Sequence, residues 1–216
     1  MKNKFLIVAL LLISYRLLAQ ELDTPSIVYN DTDLSWQNFP AISEDGSYYL
    51  IIYNEYSCCV DTGSILQQRS VTTGEINKEI ILYPNETDQI EFSSEKKATI
   101  IKAVQDLLKE TSYFKLFEVK KHEQIQQKNN NELFVKAKLL TQSFTSKSVN
   151  LPLSKLHGFC CTGDYDSKES CDVSQSIENV WLSKKHQLLL IESGVTHPAD
   201  GCDDGPYYTV TPLLKE

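Results

Sequence analysis

Six cysteines, all of them beyond an apolar N-terminal leader, constrain this 216-residue chain more than any other feature. The leader reads MKNKFLIVALLLISYRLLAQ. Lys2 and Lys4 form a short basic head, Phe5 to Ile13 is unbroken apolar sequence, and Leu17-Leu18-Ala19 offers a cleavage point before Gln20. That order is the layout of a secretory signal peptide. Its apolar run falls short of the about 20 residues a membrane-spanning helix needs. Residues 1–19 are therefore expected to be a signal peptide, and 20–216 a single secreted or periplasmic domain. In such a compartment Cys58, Cys59, Cys160, Cys161, Cys171 and Cys202 are expected to pair as disulfides.

Six cysteines allow many pairings, and spacing alone does not choose among them. Cys58 and Cys59 are adjacent, and the other four lie in the C-terminal half. Neighbouring residues of an extended chain point opposite ways, so a Cys58–Cys59 bond needs a strained ring. The preferred scheme has two long-range links from Cys58 and Cys59 and one within the C-terminal group. Loops of that length are worth about 3–5 kcal/mol each in the chain-entropy account. The segments around the two double cysteines, YSCCVDTG and GFCCTGD, are locally similar.

Charge narrows the partners. Removing Lys2, Lys4 and Arg16 from 21 basic residues leaves 18 against 29 acidic ones, a formal charge of −11. Nucleic acid and anionic lipid need basic surfaces, so neither is expected as a partner. No later segment has the length of a membrane span. The expected partner is a protein or a small-molecule ligand.

Periodicity gives an α+β class, mainly antiparallel β with one long helix. Ser93 or Ser94 can cap that helix, and Ile100, Ile101, Val104, Leu107 and Leu108 form one stripe at helical spacing over about 94–110. Ser47 to Tyr53, apolar on both faces, is expected inside a sheet. Ile65–Val71 and Ile76–Tyr83 read as a hairpin about Thr73-Gly74-Glu75. Further strands are expected at 113–119, 132–140, 148–153, 179–182, 187–191 and 207–213, roughly nine in all. The stretches 20–40, 120–131 and 194–205 read as an extended lead-in, a polar hairpin loop and a loop.

Motifs for chemistry are sparse. Asp61-Thr62-Gly63 matches an aspartic-peptidase loop, in which two carboxylates share a proton and activate water. The chain holds no second copy to complete the pair. Asp164, Asp166, Asp200, Asp203 and Asp204, with Glu169, carry oxygen donors suited to calcium, without the full spacing of a calcium loop. A cysteine nucleophile would need His157 or His197 as its base. No histidine stands at zinc-ligand spacing from another. With no evident catalytic site, the leading expectation is a binding or structural domain. A secreted hydrolase using Asp61 and a calcium-stabilised module are the alternatives. Loops 158–172 and 194–206 are the expected binding surface.

Residues Phe39 to Tyr53, FPAISEDGSYYLIIY, resemble the strand that opens a blade of TolB-type, WD40-like β-propellers, with Glu44 where proline is usual. Ser70 to Ile76 is similar to the hairpin that closes such a blade. The resemblance covers residues 39–83, one blade, and implies an antiparallel meander without an active site. The leader ending Leu-Ala-Gln resembles the secretion signals of Bacteroidetes-type bacteria, which implies a periplasmic or extracellular location.

Overall fold

The computed structural model describes residues 24–30, 34–55, 63–83, 93–127, 132–139, 141–151, 153–157, 162–164, 166–195 and 204–214. The leader, Cys58, Cys59, Asp61, Cys160, Cys161, His197, Asp200, Cys202 and Asp203 lie outside them.

Two antiparallel sheets face each other at the centre. The first contains β3 (Ala41–Ser43), β4 (Tyr48–Tyr53), β5 (Ser64–Ser70), β6 (Ile76–Tyr83) and β7 (Tyr113–Lys115), in the order β6-β5-β4-β3-β7. The second contains β8 (Phe117–Glu118), β14 (Ser176–Ser183), β15 (Leu188–Val195) and β16 (Asp204–Pro212), in the order β16-β15-β14-β8. Three smaller sheets flank them. They are β1 (Ser26–Tyr29) with β2 (Leu34–Gln37), β12 (Leu153–His157) with β13 (Ser170–Ser174), and β9 (Lys121–Gln127), β10 (Glu132–Leu139) and β11 (Gln142–Thr145). One long helix, α1 (Ser94–Glu110), is present among the described residues.

Side chains of a strand alternate between its two faces, and β4 uses both. Leu50 points to a core shared with Leu66, Leu82 and the α1 residues Ile100, Val104 and Leu107. Tyr49 and Ile51 point the other way, to a core with Ile42, Leu116, Leu188 and Leu190. The pattern repeats in β15, where Leu189 and Ile191 belong to a third core with Val135, Ala137 and Val149. The result is a stack of helix, first sheet, second sheet and three-stranded sheet, with β4 and β15 buried on both faces. Each such aliphatic side chain contributes about 1.5–3 kcal/mol by leaving water.

α1 begins where its sequence says it should. Ser93 is extended (φ −61°, ψ 153°), and its Oγ accepts from Lys96 N at 3.2 Å. Glu95 in the first turn and Lys109 in the last complement the helix dipole. The β1–β2 hairpin is fastened to the first sheet by Tyr29, whose hydroxyl donates to Leu82 O at 2.6 Å. Burial pushes the pKa of that hydroxyl up to about 12.

Several sequence expectations change. Residues 20–40 contain the β1–β2 hairpin. The polar run 120–131 is not a loop throughout, since Lys121–Gln127 pairs with β10 from Lys121↔Lys138 to Gln127↔Glu132. Backbone pairing holds this edge strand, and it lacks the apolar alternation that would reveal it. The strand expected over 113–119 divides. Its first part pairs with β3 in the first sheet and its second with β14 in the second. Leu116, 6% exposed, sits in the core between the sheets at the point of exchange. Within 148–153, Val149 forms only a bridge to Leu133, and β12 starts at Leu153. The 194–205 loop is shorter, because β15 runs to Val195 and β16 begins at Asp204.

The β3–β4 and β14–β15 turns meet. Lys185 Nζ donates to Glu44 O at 2.9 Å. An added Cβ on Gly46, which has φ +76°, would lie 2.6 Å from His186 Nδ1. Burial, then the charge of Lys185, lowers the pKa of His186. Asp45 organises its turn by accepting from Ser43 Oγ at 2.6 Å, Ser47 N at 3.0 Å and Ser47 Oγ at 2.8 Å. These hydrogen bonds, that of Ser43 foremost, hold its carboxyl at about 2.

Two outcomes are expected. Gly46→Ala should destabilise the protein by more than the about 1 kcal/mol of left-handed backbone strain alone. In a His186→Ala background the steric part should vanish, which a double-mutant cycle in urea checks. Asp45 is depressed in the fold, so its stabilising contribution is complete above its unfolded value of 3.8 and is lost as pH falls toward about 2. Asp45→Asn should therefore flatten the acid limb of Tm against pH over that window.

Candidate functional site

At one end of the seam between the two central sheets lies a cleft of about 410 Å³. Both tryptophans of the chain line it. Trp36 comes from β2 and is 40% exposed. Trp181 comes from β14, where it stands opposite Leu190 of β15. Phe39 and Pro40 enter from the connection before β3, Ile51 and Ile52 from β4, and Pro206 and Tyr208 from β16. The Phe39–Pro40 and Gly205–Pro206 bonds are cis.

Two carboxylates enter this aromatic lining, Glu55 just past β4 and Glu192 in β15. Asn179 stands opposite Glu192 on β14 and donates from Nδ2 to its Oε2 at 3.1 Å. Tyr208 stands opposite Glu192 on β16. The close approach of β16 requires glycine at 205, because a Cβ there would lie 3.2 Å from both Gly194 Cα and Ser193 O. Its φ of +123° also disfavours any side chain.

Arg69, the sole arginine after Arg16, braces the cleft from inside. Its guanidinium carbon is 5.8 Å from the ring centres of both Tyr53 and Tyr208, on the first and second sheets. Nε and Nη2 donate to Gln67 Oε1 at 2.9 and 2.6 Å. A cation over two tyrosine faces is attracted by their ring quadrupoles. Tyr208 is thereby held in place beside Glu192.

The neighbouring field is negative. Burial raises the pKa of Tyr53, and the charges of Glu55 and Asp204 raise it further against the opposing pull of Arg69. Burial also raises that of Tyr207, and the hydrogen bond from its hydroxyl to Asp204 Oδ1 at 3.0 Å adds to the shift.

Of the acidic residues singled out in the sequence, Asp204 is half-buried and belongs to this neighbourhood. Asp164 and Asp166 lie apart, in an exposed turn where Asp164 Oδ1 accepts from Asp166 N at 3.0 Å. Asp200 and Asp203 are outside the described residues. No group of three His, Cys, Asp or Glu able to hold a metal ion occurs among the described residues. Likewise, no helix there is long and apolar enough to cross a membrane.

Sequence reasoning missed Trp36, Glu55, Trp181 and Glu192. Each comes from a different strand or strand end, so no local spacing links them. The available signal was compositional: two tryptophans, and prolines beside aromatics in Phe39-Pro40 and Pro206-Tyr207. A concavity in which aromatic and apolar side chains meet a few converging polar groups is a common form of small-ligand site. No protein-family model, curated protein or solved structure matches the chain.

Proposed function

We propose that this protein is a secreted, disulfide-stapled binding domain, and that its seam cleft takes an organic cation with an apolar body. An arginine or lysine side chain of a peptide has this chemistry, as does a free amine of similar size. The convergence of both tryptophans with Glu55 and Glu192 in one cleft carries the reading. A cation gains from the faces of Trp and Tyr and from nearby carboxylates, more so when water is excluded. The volume suits one side chain rather than an extended polymer.

In this reading residues 20–216 form one domain. In the same reading Cys171 pairs within a disulfide framework that includes Cys58, Cys59, Cys160, Cys161 and Cys202. The blade-like resemblance of residues 39–83 concerns the β3–β6 meander and places no ligand. The hydrolase alternative rests on Asp61, and the calcium alternative in part on Asp200 and Asp203, all outside the described residues.

Tryptophan fluorescence reports the site directly, since both tryptophans line it. Titration with N-acetyl-arginine amide should change the emission saturably. The neutral N-acetyl-norleucine amide should bind at least about tenfold more weakly, the loss of about 1.4 kcal/mol of charge-dependent affinity. Glu192→Gln keeps an acceptor for Asn179 and should weaken the arginine ligand by a similar factor. Equal affinity for the two ligands, or no saturable change with either, would contradict the proposal.

A further inference from the structure

A second cavity, on the outer three-stranded sheet, has the reverse chemistry. It encloses about 610 Å³ over the three-stranded sheet and is lined by Lys120, Lys121, Lys136 and Lys138, with His122, Glu123 and Ser143. The chain as a whole carries a formal charge of −8, so four lysines around one hollow run against its average. The lysines outnumber the one carboxylate there, Glu123.

Strand register explains how they meet. In β10, Val135 and Ala137 are fully buried, while Lys136 and Lys138 alternate to the exposed face. Lys121 of β9 and Ser143 of β11 stand directly opposite Lys138, one on each side. The sheet thus carries a transverse row of Lys121, Lys138 and Ser143, with Lys120 preceding it. Like charges directly opposite each other destabilise a strand pair. None of the four lysines takes part in an ion pair among the described residues.

We propose that this cavity is a binding site for a compact, multiply charged oxyanion, a phosphate or sulfate group. Such a group supplies acceptors for the lysine ammonium groups and the Ser143 hydroxyl, and it removes the Lys121–Lys138 repulsion. The shared chemistry has two sources, a free inorganic anion or an ester group on a saccharide. The site is independent of the seam cleft, which selects the opposite charge.

Calorimetric titration with inorganic pyrophosphate and with a sulfated disaccharide tests the proposal. Binding of at least one probe is expected, and it should weaken as salt rises, because the contacts are ionic. Pyrophosphate alone would assign the site to free anions, and tighter binding of the disaccharide would assign it to ester groups. The Lys121→Gln/Lys138→Gln variant should bind at least about tenfold more weakly, since charge-assisted hydrogen bonds are lost. Lys102→Gln/Lys109→Gln removes the same charge from exposed positions on α1 and should bind as the parent does. Without any anion, Lys138→Gln should raise Tm at low salt, a readout that binding does not influence. Failure of both probes to bind, or equal weakening in the α1 variant, would overturn the proposal.

Discussion

The apolar seam between the two central sheets governs the rest of the molecule. Ile42, Tyr49 and Ile51 meet Leu116, Leu188 and Leu190 there, with partly buried aromatics around them. Neither sheet could leave this face in water without losing the burial free energy of these side chains. Because β4 and β15 are apolar on both sides, each needs a second covering layer. α1 supplies one through Ile100, Val104 and Leu107, and the three-stranded sheet supplies the other through Val135 and Ala137. The layer order follows from two doubly buried strands. The chain links them by the shortest route it has, exchanging sheets across the single residue Leu116 between β7 and β8.

Where the seam ends, the cleft forms. The residues that close the core and those that line the cleft belong to the same strands. Ile51 serves the core as well as the cleft, and Trp181 packs against that core while lining the cleft. Arg69 joins the two roles, since its tyrosine contacts reach both sheets and fix the wall beside Glu192. The cleft and the lysine-rich hollow lie on different layers and carry opposite charge. Such a distribution is invisible in the net charge, whose acidic total argues only against extended polyanions.

Sequence periodicity revealed what periodicity can encode. Ile100, Val104 and Leu107 marked the buried face of α1, and the pair Ser93-Ser94 marked its start, with Ser93 the cap. The run Tyr48–Tyr53 was apolar on both faces because two cores need it. The β5–β6 hairpin showed itself by its turn residues. Elements held by backbone pairing left no comparable trace. The polar Lys121–Gln127 sits at a sheet edge, and its pairing with β10 does not depend on an apolar face. The split at Leu116 was hidden because residues 113–119 read as uniform strand sequence, while the change of partner is a tertiary event. The cleft was hidden for a related reason: its tryptophans lie far apart along the chain and converge only through the stacking of sheets.

If the seam is the keystone, the two sheets must open together. Native-state hydrogen exchange measures this, with the amides of Leu50 in β4 and Leu190 in β15 as reporters. Amides that open only with global unfolding share one exchange free energy and one denaturant dependence. The account predicts that Leu50 and Leu190 belong to the same, slowest-exchanging group, and that Leu190→Ala accelerates both equally. Exchange of one sheet at lower free energy while the other stays protected would show two independent units and contradict the central role given to the seam.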